Sequence, residues 1–219
     1  MLIPSFFFTA AIVGIVSASA GCTPSMVGEK GFIANFYSYE FLGGKGWEKD
    51  FFVSGYKSDL LETVRCVESI NFQYSNQPDQ KVLHQTIYGY STTISNYSLE
   101  LSGYFEAPET GLYRFRLAAD NGASLQFGAG QTCCNDASGS ESGGFSFKTL
   151  GPRGGGGSTK VNVRDMSYSL VKGVYYPVKL VMFNWQGNNG LNLKVTKPSG
   201  NIISDFGSQV FQAEFANSN

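Results

Sequence analysis

A carboxylate and a carboxamide stand side by side in the middle of this chain, at Asp120 and Asn121. The run Tyr113–Ala119 before them alternates like a β-strand, and Ser124–Phe127 after them predicts a second strand. Asp and Asn supply the hard oxygen ligands that Ca²⁺ takes, so the pair is a candidate metal site on a hairpin tip. Because Asn-Gly is also a strong hairpin signal, an ordinary turn is the alternative interpretation of the local sequence.

The first twenty residues have the pattern of a secretory signal peptide. Leu2–Val16 is an apolar run too short for a comfortable membrane span, and an Ala-Ser-Ala cleavage signal follows at residues 18–20. We therefore expect residues 1–20 to be removed and residues 21–219 to form one mature, extracellular domain. No other stretch is apolar enough to predict a transmembrane segment.

All four cysteines lie beyond this signal, at Cys22, Cys66, Cys133 and Cys134. In an oxidising compartment an even number of cysteines predicts two disulfides. A bond between the two adjacent cysteines would close a strained ring, because bridged Cα atoms prefer a wider separation. We therefore expect Cys133 and Cys134 to bond separately to Cys22 and Cys66, in an order that the sequence leaves open.

Strand-like alternation recurs along most of the chain. The clearest segments are Leu99–Phe105, Tyr113–Ala119, Tyr176–Met182 and Leu191–Val195, with shorter candidates at Ile33–Tyr37, Phe145–Phe147, Lys160–Val163 and Tyr168–Val171. Turn signals such as Asn189-Gly190 separate them. Leu60–Val67 is the one segment expected to form a short helix. The pattern predicts an all-β fold, an antiparallel β-sandwich in which one face of each strand is buried.

The composition argues against several functional classes. With 16 basic and 17 acidic residues the net charge is −1, so nucleic acid is not an expected partner. The content of 27 Gly, 18 Phe and 12 Tyr suits a β-rich extracellular domain with many turns. The chain has a single histidine, His84, and no G-x-S-x-G nucleophile motif, so we expect a structural role for His84 and no enzymatic activity.

Two blocks of sequence match a known family. Leu101–Gly128 (LSGYFEAPETGLYRFRLAADNGASLQFG) resembles the core of a PA14 domain, with its P-x-x-G-x-Y-x-F turn and strand followed by an acidic turn. Tyr175–Val195 resembles the closing strands of that domain. The paired cysteines, the leading cysteine and the secretory signal are similar to those of the flocculin and epithelial-adhesin branch of yeast cell-wall lectins. This resemblance implies a PA14-type sandwich with long disulfide-pinned loops, secreted to a fungal cell-wall surface and used for adhesion.

In that branch the resemblance implies a calcium-dependent lectin. Two adjacent acidic residues joined by a cis peptide hold Ca²⁺ with an Asn and backbone carbonyls of a second loop, and sugar hydroxyls bind the same ion. Carried onto this chain, the acidic pair falls on Asp120 and Asn121, the second-loop Asn on Asn184, and the carbonyls on about Gln186 and Asn188. Asn121 departs from the pattern and leaves the site one negative charge short. That predicts weaker Ca²⁺ binding, or a site that the sugar completes.

Sugar binding adds candidates from the same two loops. A hexose offers hydroxyls to a cation and an apolar face to an aromatic ring. Trp185 is placed to supply that ring, with packing in the core as the alternative. Gln186 and Asn188 can hydrogen-bond hydroxyls or form only a solvated turn, and Asn135 and Asp136 are expected to line the other side of the pocket. The full set expected to contact sugar is Asp120, Asn121, Asn184, Trp185, Gln186, Asn188, Asn135 and Asp136.

The expected partners are terminal mono- or oligosaccharides of cell-surface glycans, bound by a monomeric domain. Galactose, mannose and N-acetylglucosamine all suit the branch, and the neutral Asn121 together with Trp185 favours an N-acetylated sugar such as a chitin end. Asn96 opens an Asn-Tyr-Ser sequon and is expected to carry a surface glycan. The alternatives are a secreted PA14-fold module that binds protein or acts as a toxin, and an accessory module of a glycosidase. Glycoside hydrolysis by this chain itself is disfavoured, because Asn121 replaces the second carboxylate that a glycosidase needs.

Overall fold

The computed structural model describes residues 22–39, 51–74, 84–93, 96–128, 147–150, 162–184 and 188–214. The predicted signal peptide, residues 1–20, lies outside them. In chain order the strands are β1 (Met26–Lys30), β2 (Phe32–Ser38), β3 (Leu60–Val67), β4 (Phe72–Tyr74), β5 (His84–Ile87), β6 (Tyr90–Thr93), β7 (Tyr97–Glu106), β8 (Gly111–Asp120), β9 (Gly122–Phe127), β10 (Phe147–Leu150), β11 (Asn162–Leu170), β12 (Tyr175–Asn184), β13 (Asn189–Thr196), β14 (Ile202–Ile203) and β15 (Val210–Glu214). A π-helical turn at Phe51–Gly55 precedes β3. In the described ranges no helix is long and apolar enough to cross a membrane.

The strands form two antiparallel sheets and one separate hairpin. Sheet A has eight strands: six follow the order β1-β15-β7-β12-β9-β10, β2 pairs with β7, and β3 pairs with β2. Sheet B has five strands, in the order β11-β8-β13-β14 with β4 on β13. The hairpin is made of β5 and β6. The predicted all-β antiparallel architecture is confirmed.

The main core lies between the two sheets and is rich in aromatic rings. In β8 the side chains of Tyr113, Phe115, Leu117 and Ala119 are buried, and the residues between them face outward. Phe115 meets Phe127 of sheet A with ring centroids 4.6 Å apart. Full burial of one such side chain stabilises the fold by about 1.5–3 kcal/mol. The predicted alternation of buried and exposed residues therefore holds for sheet B.

Sheet A, in contrast, is covered on both faces along its central strands β7, β9 and β12. Residues 51–59, which we call the 51–59 segment, cross its outer face, and the rings of Phe51 and Phe52 contact Phe183 of β12. Every residue of β12 after Tyr175 is buried as a result. The prediction of a single buried face is thus wrong for β12. Alternate side chains of this strand enter two different cores, so neither of its faces meets solvent.

A buried acidic residue fastens the 51–59 segment to sheet A. Glu100 of β7 accepts hydrogen bonds from the hydroxyl of Tyr56 and from Asn35 Nδ2, the latter at 3.2 Å. Lys57 Nζ lies 3.4 Å from the same carboxylate. Since the Glu100 side chain is only 5% exposed, these partners must offset the cost of removing its charge from water.

The predicted short helix at Leu60–Val67 is wrong, because this segment forms the edge strand β3. Its apolar spacing suits either a helix or a strand, and antiparallel pairing with β2 decides the outcome. Two register shifts interrupt that pairing, and Cys66 has a φ of 57°. Bulges and irregularities of this kind are common at the edges of sheets.

The expected disulfide at Cys66 is also wrong. Cys66 is a free, exposed thiol, whereas Cys22 is disulfide-bonded. Cys133 and Cys134 lie outside the described residues. In the order of sheet A, β3 lies four strand spacings, about 19 Å, from β9.

Candidate functional site

A cavity opens on the outward face of sheet B, where β8 ends. Asp120 is the last residue of β8 and pairs with Gly190 of β13. Ala118 lies two residues earlier on the same outward face. The cavity has a volume of about 400 Å³. Its described lining comprises Asn71, Phe72, Gln73, Ala118, Ala119, Asp120, Asn188, Asn189, Gly190, Leu191 and Asn192.

The turn beyond β8 presents the acid–amide pair. The peptide bond between Asp120 and Asn121 is cis, as the family resemblance implies. Asn121 Nδ2 donates a hydrogen bond to Asp120 Oδ1 at 3.2 Å. Burial raises the pKa of Asp120, and this hydrogen bond opposes the shift by stabilising the carboxylate. The nitrogen of the Asn121 carboxamide therefore points toward the Asp120 carboxylate, and Asn121 acts here as a neutral hydrogen-bond donor.

Strand register brings the end of β12 beside this turn. Phe183 pairs with Gly122 in the ladder between β12 and β9. Asn184 follows Phe183 and Asn121 precedes Gly122, so both asparagines adjoin this pair, on segments that neighbouring strands hold about 5 Å apart. Asn184 is fully buried and pairs on its other side with Tyr97 of β7. The structure thus gathers the predicted second-loop asparagine and the acid–amide pair at one end of the sandwich.

The segment that enters β13 completes this end of the cavity. Asn188 lines the cavity, and the next residue, Asn189, is fully buried. Asn189 Nδ2 donates to the hydroxyl of Tyr97 at 2.8 Å, and that hydroxyl lies 3.0 Å from Asn189 Oδ1. Because Tyr97 also pairs with Asn184, one tyrosine ties both ends of the connection between β12 and β13. Burial raises the pKa of Tyr97 well above its ordinary value, so the hydroxyl stays protonated.

Tyr97 is a residue that sequence reasoning missed. It entered that reasoning only as the middle residue of the sequon that begins at Asn96. Asn96 itself is exposed, with a φ of 58°, whereas Tyr97 and Ser98 of the sequon are buried, and glycosylation of Asn96 stays a prediction. His84 begins the β5–β6 hairpin, which forms a separate two-stranded sheet.

One wall of the cavity also went unpredicted, because the three residues of β4 are too few to show a pattern. Gln73 of β4 is exposed and pairs with Gly190. Asn71, just before β4, accepts a hydrogen bond from Leu193 N at 2.7 Å and donates to Ser204 O at 3.1 Å. Its carboxamide is therefore committed to holding the wall in place. The aromatic alternation of Phe72–Tyr74 is the signal that could have revealed this strand.

Four of the predicted sugar-contacting residues lie outside the described residues. They are Asn135, Asp136, Trp185 and Gln186.

The donor atoms at this end of the sandwich suit calcium better than a softer metal. The carboxylate of Asp120, the amide oxygen of Asn184 and backbone carbonyls near Asn188 are hard oxygen donors. Asn121 would join them only after its amide turns to present oxygen. Throughout the described ranges no group of three or more His, Cys, Asp or Glu side chains is placed to hold a metal. The residues therefore fit Ca²⁺, with the low ligand charge that predicts weak binding.

Comparison with known proteins finds similarity to yeast flocculation proteins and adhesins. Residues 97–197 match the GLEYA domain family. The chain is 27% identical over 231 residues to the flocculation protein FLO9 of Saccharomyces cerevisiae, covering 89% of this chain and 17% of that protein. It is 35% identical over 123 residues to the flocculation protein FLO1 of the same yeast, covering 54% of this chain and 8% of FLO1. The chain thus spans less than a fifth of the length of these curated relatives.

Solved structures share the fold at low sequence identity. The A domain of epithelial adhesin 9 from Candida glabrata, in complex with Galβ1-3GlcNAc, has a TM-score of 0.79 at 22% identity and covers 92% of this chain and 98% of that domain. The PA14 domain of the antifreeze protein MpAFP has a TM-score of 0.58 at 14% identity, covering 92% of this chain and all, 100%, of that domain. Together with the sequence relatives, these likenesses confirm the predicted resemblance to the flocculins and epithelial adhesins.

Proposed function

We propose that this chain, a GLEYA-type domain related in sequence to the yeast flocculation proteins, is a calcium-assisted lectin domain that binds a terminal sugar of cell-surface glycans. The observation that carries the proposal is the cavity of about 400 Å³ in which Asp120 faces Gly190 and Asn188 forms part of the lining. Cavities of about 300–1,000 Å³ are typical of small-ligand sites. The flocculation proteins among the relatives, and the adhesin solved with Galβ1-3GlcNAc, support carbohydrate as the class of ligand.

The residues contribute to binding in three ways, by charge, by position and by hydrogen bonding. Asp120 supplies the negative charge, and Asn184 is held rigidly in β12 to offer an amide oxygen. Bound Ca²⁺ would supply a hard cation that coordinates vicinal sugar hydroxyls. The carboxamides of Gln73, Asn188 and Asn192 line the cavity and can hydrogen-bond the remaining hydroxyls.

The same lining supports binding rather than hydrolysis. A glycosidase places two carboxyl groups across the bond that it cleaves. Within the described lining of the cavity, Asp120 is the only carboxylate. We therefore propose a recognition module, in which the sugar is held and released unchanged.

Among terminal sugars, we propose N-acetylglucosamine as the preferred ligand, ahead of galactose and mannose. An acetamido group presents one N–H donor and one carbonyl acceptor. The carboxamides of Gln73, Asn188 and Asn192 can accept a hydrogen bond from the N–H with their oxygens and donate to the carbonyl with their NH₂ groups. Galactose and mannose offer hydroxyls alone. A chitin end would present this acetamido group at its terminus.

A glycan array read with and without calcium tests the proposal. We expect the chain to bind a subset of terminal sugars in Ca²⁺ and to lose that signal in EDTA. Asp120→Ala should weaken binding by at least about tenfold, because it removes the charged acceptor of the site. Asp59→Ala, which removes an exposed carboxylate on the 51–59 segment, is the matched control and should bind normally. Undiminished binding both in EDTA and in Asp120→Ala would contradict the proposal.

A further inference from the structure

Two like charges stand directly opposite each other on the outward face of sheet B. Arg116 of β8 and Lys194 of β13 are register partners, and both are exposed. Like charges in this relation destabilise a sheet, since their Cβ atoms lie only about 4.5–5.5 Å apart. The requirements of folding therefore do not explain this pair.

The neighbouring charges do not neutralise it. Asp165 of β11 is the register partner of Arg116 on the other side, but its carboxylate is bound by Arg114 at 2.8 Å. No other carboxylate in the described part of the chain forms an ion pair with Arg116 or Lys194. Three cations and one carboxylate leave two positive charges around the pair, and Asp120 at the cavity reduces the charge of the whole outward face to +1, in a chain whose net charge is −1.

The pair lies in line with the cavity. Asp120, Ala118 and Arg116 alternate onto the same outward face of β8. Ala118 and its register partner Asn192 line the cavity and stand between its floor and the two cations. Four residues along the strand separate Arg116 from Asp120, which corresponds to about 14 Å. The small side chain of Ala118 leaves this path open along the sheet.

We propose that Arg116 and Lys194 form an anion subsite, which binds a negatively charged substituent on a sugar one or two units inward from the terminal sugar at Asp120. The ligand class is an anionic glycan carrying sulfate, phosphate or carboxylate. The guanidinium offers a planar fork and the ammonium a point charge, and both form charge-assisted hydrogen bonds with such groups. A bound anion would also relieve the repulsion between the two cations. This subsite rests on the proposed carbohydrate binding in the cavity.

A matched glycan series on the full chain tests the subsite. Galactose, mannose and N-acetylglucosamine ends are each presented on a penultimate sugar that is neutral, 6-O-sulfated, 6-O-phosphorylated or a uronic acid. At low salt we expect the anionic forms to bind about threefold to tenfold more tightly than the neutral form, and we expect this advantage to shrink as NaCl is added. The three anionic arms show which substituent the subsite prefers.

Two double variants separate the subsite from the overall charge. Arg116→Gln with Lys194→Gln should abolish the anionic advantage and leave neutral binding unchanged. Arg65→Gln with Lys172→Gln removes the same charge from exposed positions elsewhere, on β3 and in the turn before β12, and should keep the advantage.

The outcomes distinguish this inference from the proposed function. Equal binding of neutral and anionic glycans by the unmodified chain overturns the subsite alone. An advantage lost to the same extent in both double variants also overturns it, since net charge would then be the cause. A chain that binds none of the ends overturns the proposed function, and the subsite with it.

Discussion

Asp120 carries the negative charge of the candidate site without a second carboxylate beside it. Its neighbour Asn121 donates a hydrogen bond to it at 3.2 Å, so the half-buried carboxylate is stabilised by a neutral amide. The hydrogen bond offsets only part of the cost of burial, since the pKa of Asp120 stays raised, so a bound cation would stabilise the carboxylate further. The same amide must turn to offer its oxygen, which makes calcium binding weaker than a paired-acid site would allow.

Asn121→Asp should therefore tighten calcium binding. The substitution replaces the hydrogen-bond donor with a second carboxylate, and we expect Ca²⁺ affinity measured without sugar to rise by about tenfold or more. In EDTA the two adjacent carboxylates repel, so the melting temperature should fall. Isothermal titration with Ca²⁺ and thermal melts in EDTA measure the two effects. Asn201→Asp, at an exposed turn, is the control, and an unchanged calcium titration in Asn121→Asp would show that Asn121 lies outside the metal site.

At the scale of elements, the site depends on how the connection between β12 and β13 is held. Tyr97 pairs with Asn184 at one end of that connection and hydrogen-bonds Asn189 at the other. A tyrosine that touches no sugar in this scheme therefore positions the residues that do.

Tyr97→Phe tests this positioning role. Loss of the hydroxyl leaves the buried Asn189 amide without that partner, which should cost about 1–3 kcal/mol of unfolding free energy and weaken sugar binding. Tyr113→Phe is the matched control, since its buried hydroxyl bonds the backbone of Glu109 at 2.8 Å, far along β8 from the cavity. It should lose comparable stability and keep its sugar affinity. Parallel losses of affinity in both variants would mean that stability alone controls binding.

Two turns at the opposite end of β8 are joined by a pH-sensitive contact. Glu109, between β7 and β8, binds Lys197 Nζ at 2.9 Å and accepts a hydrogen bond from Ser199 N at 3.0 Å. The hydrogen bond from Lys197 is the main reason that the pKa of Glu109 is lowered. A lowered pKa in the folded state contributes stability above the ordinary Glu pKa, and that contribution is lost as pH falls through the lowered value.

Glu109→Gln should remove this pH dependence. Urea unfolding across the acidic range should show the unmodified protein losing more stability than the variant as Glu109 is protonated. At neutral pH the variant should be slightly less stable, because an exposed ion pair contributes little. Identical acid profiles for the two proteins would show that Glu109 has the same pKa when folded and unfolded.

The elements differ in how far their sequences reveal them. β8 and β13 were predictable because each alternates between one core and water, and the family resemblance located Asp120 and Asn184 within the pattern. β3 was not, because Leu60–Val67 lacks a decisive period and takes its form from β2. The wall at Gln73 was missed for a related reason, since its three-residue strand gives only a short alternation and is positioned by pairing with Gly190, more than a hundred residues away.

At the scale of the whole molecule, sheet A separates two cores, and the smaller one supports the site. The 51–59 segment packs on Phe183, the residue directly before Asn184. The segment is in turn fastened by Glu100, which accepts hydrogen bonds from Tyr56 and lies beside Lys57. The order of the candidate site therefore depends on a covering layer that shares no residue with the cavity.

Glu100→Ala should expose this dependence. Removing the buried carboxylate leaves the Tyr56 hydroxyl unpaired, and we expect a loss of about 3 kcal/mol of unfolding free energy with weaker sugar binding. Lys57→Ala should cost less than about 1 kcal/mol, because the lysine side chain is 38% exposed and its ion pair is screened by water. Urea unfolding and hydrogen exchange over residues 51–59 measure the two variants. Equal losses of unfolding free energy in the two variants would show that the ion pair holds the 51–59 segment on sheet A. A larger loss in Glu100→Ala, which we expect, would show that the buried hydrogen bonds hold it. Asn184 would then lose its support when the segment detaches.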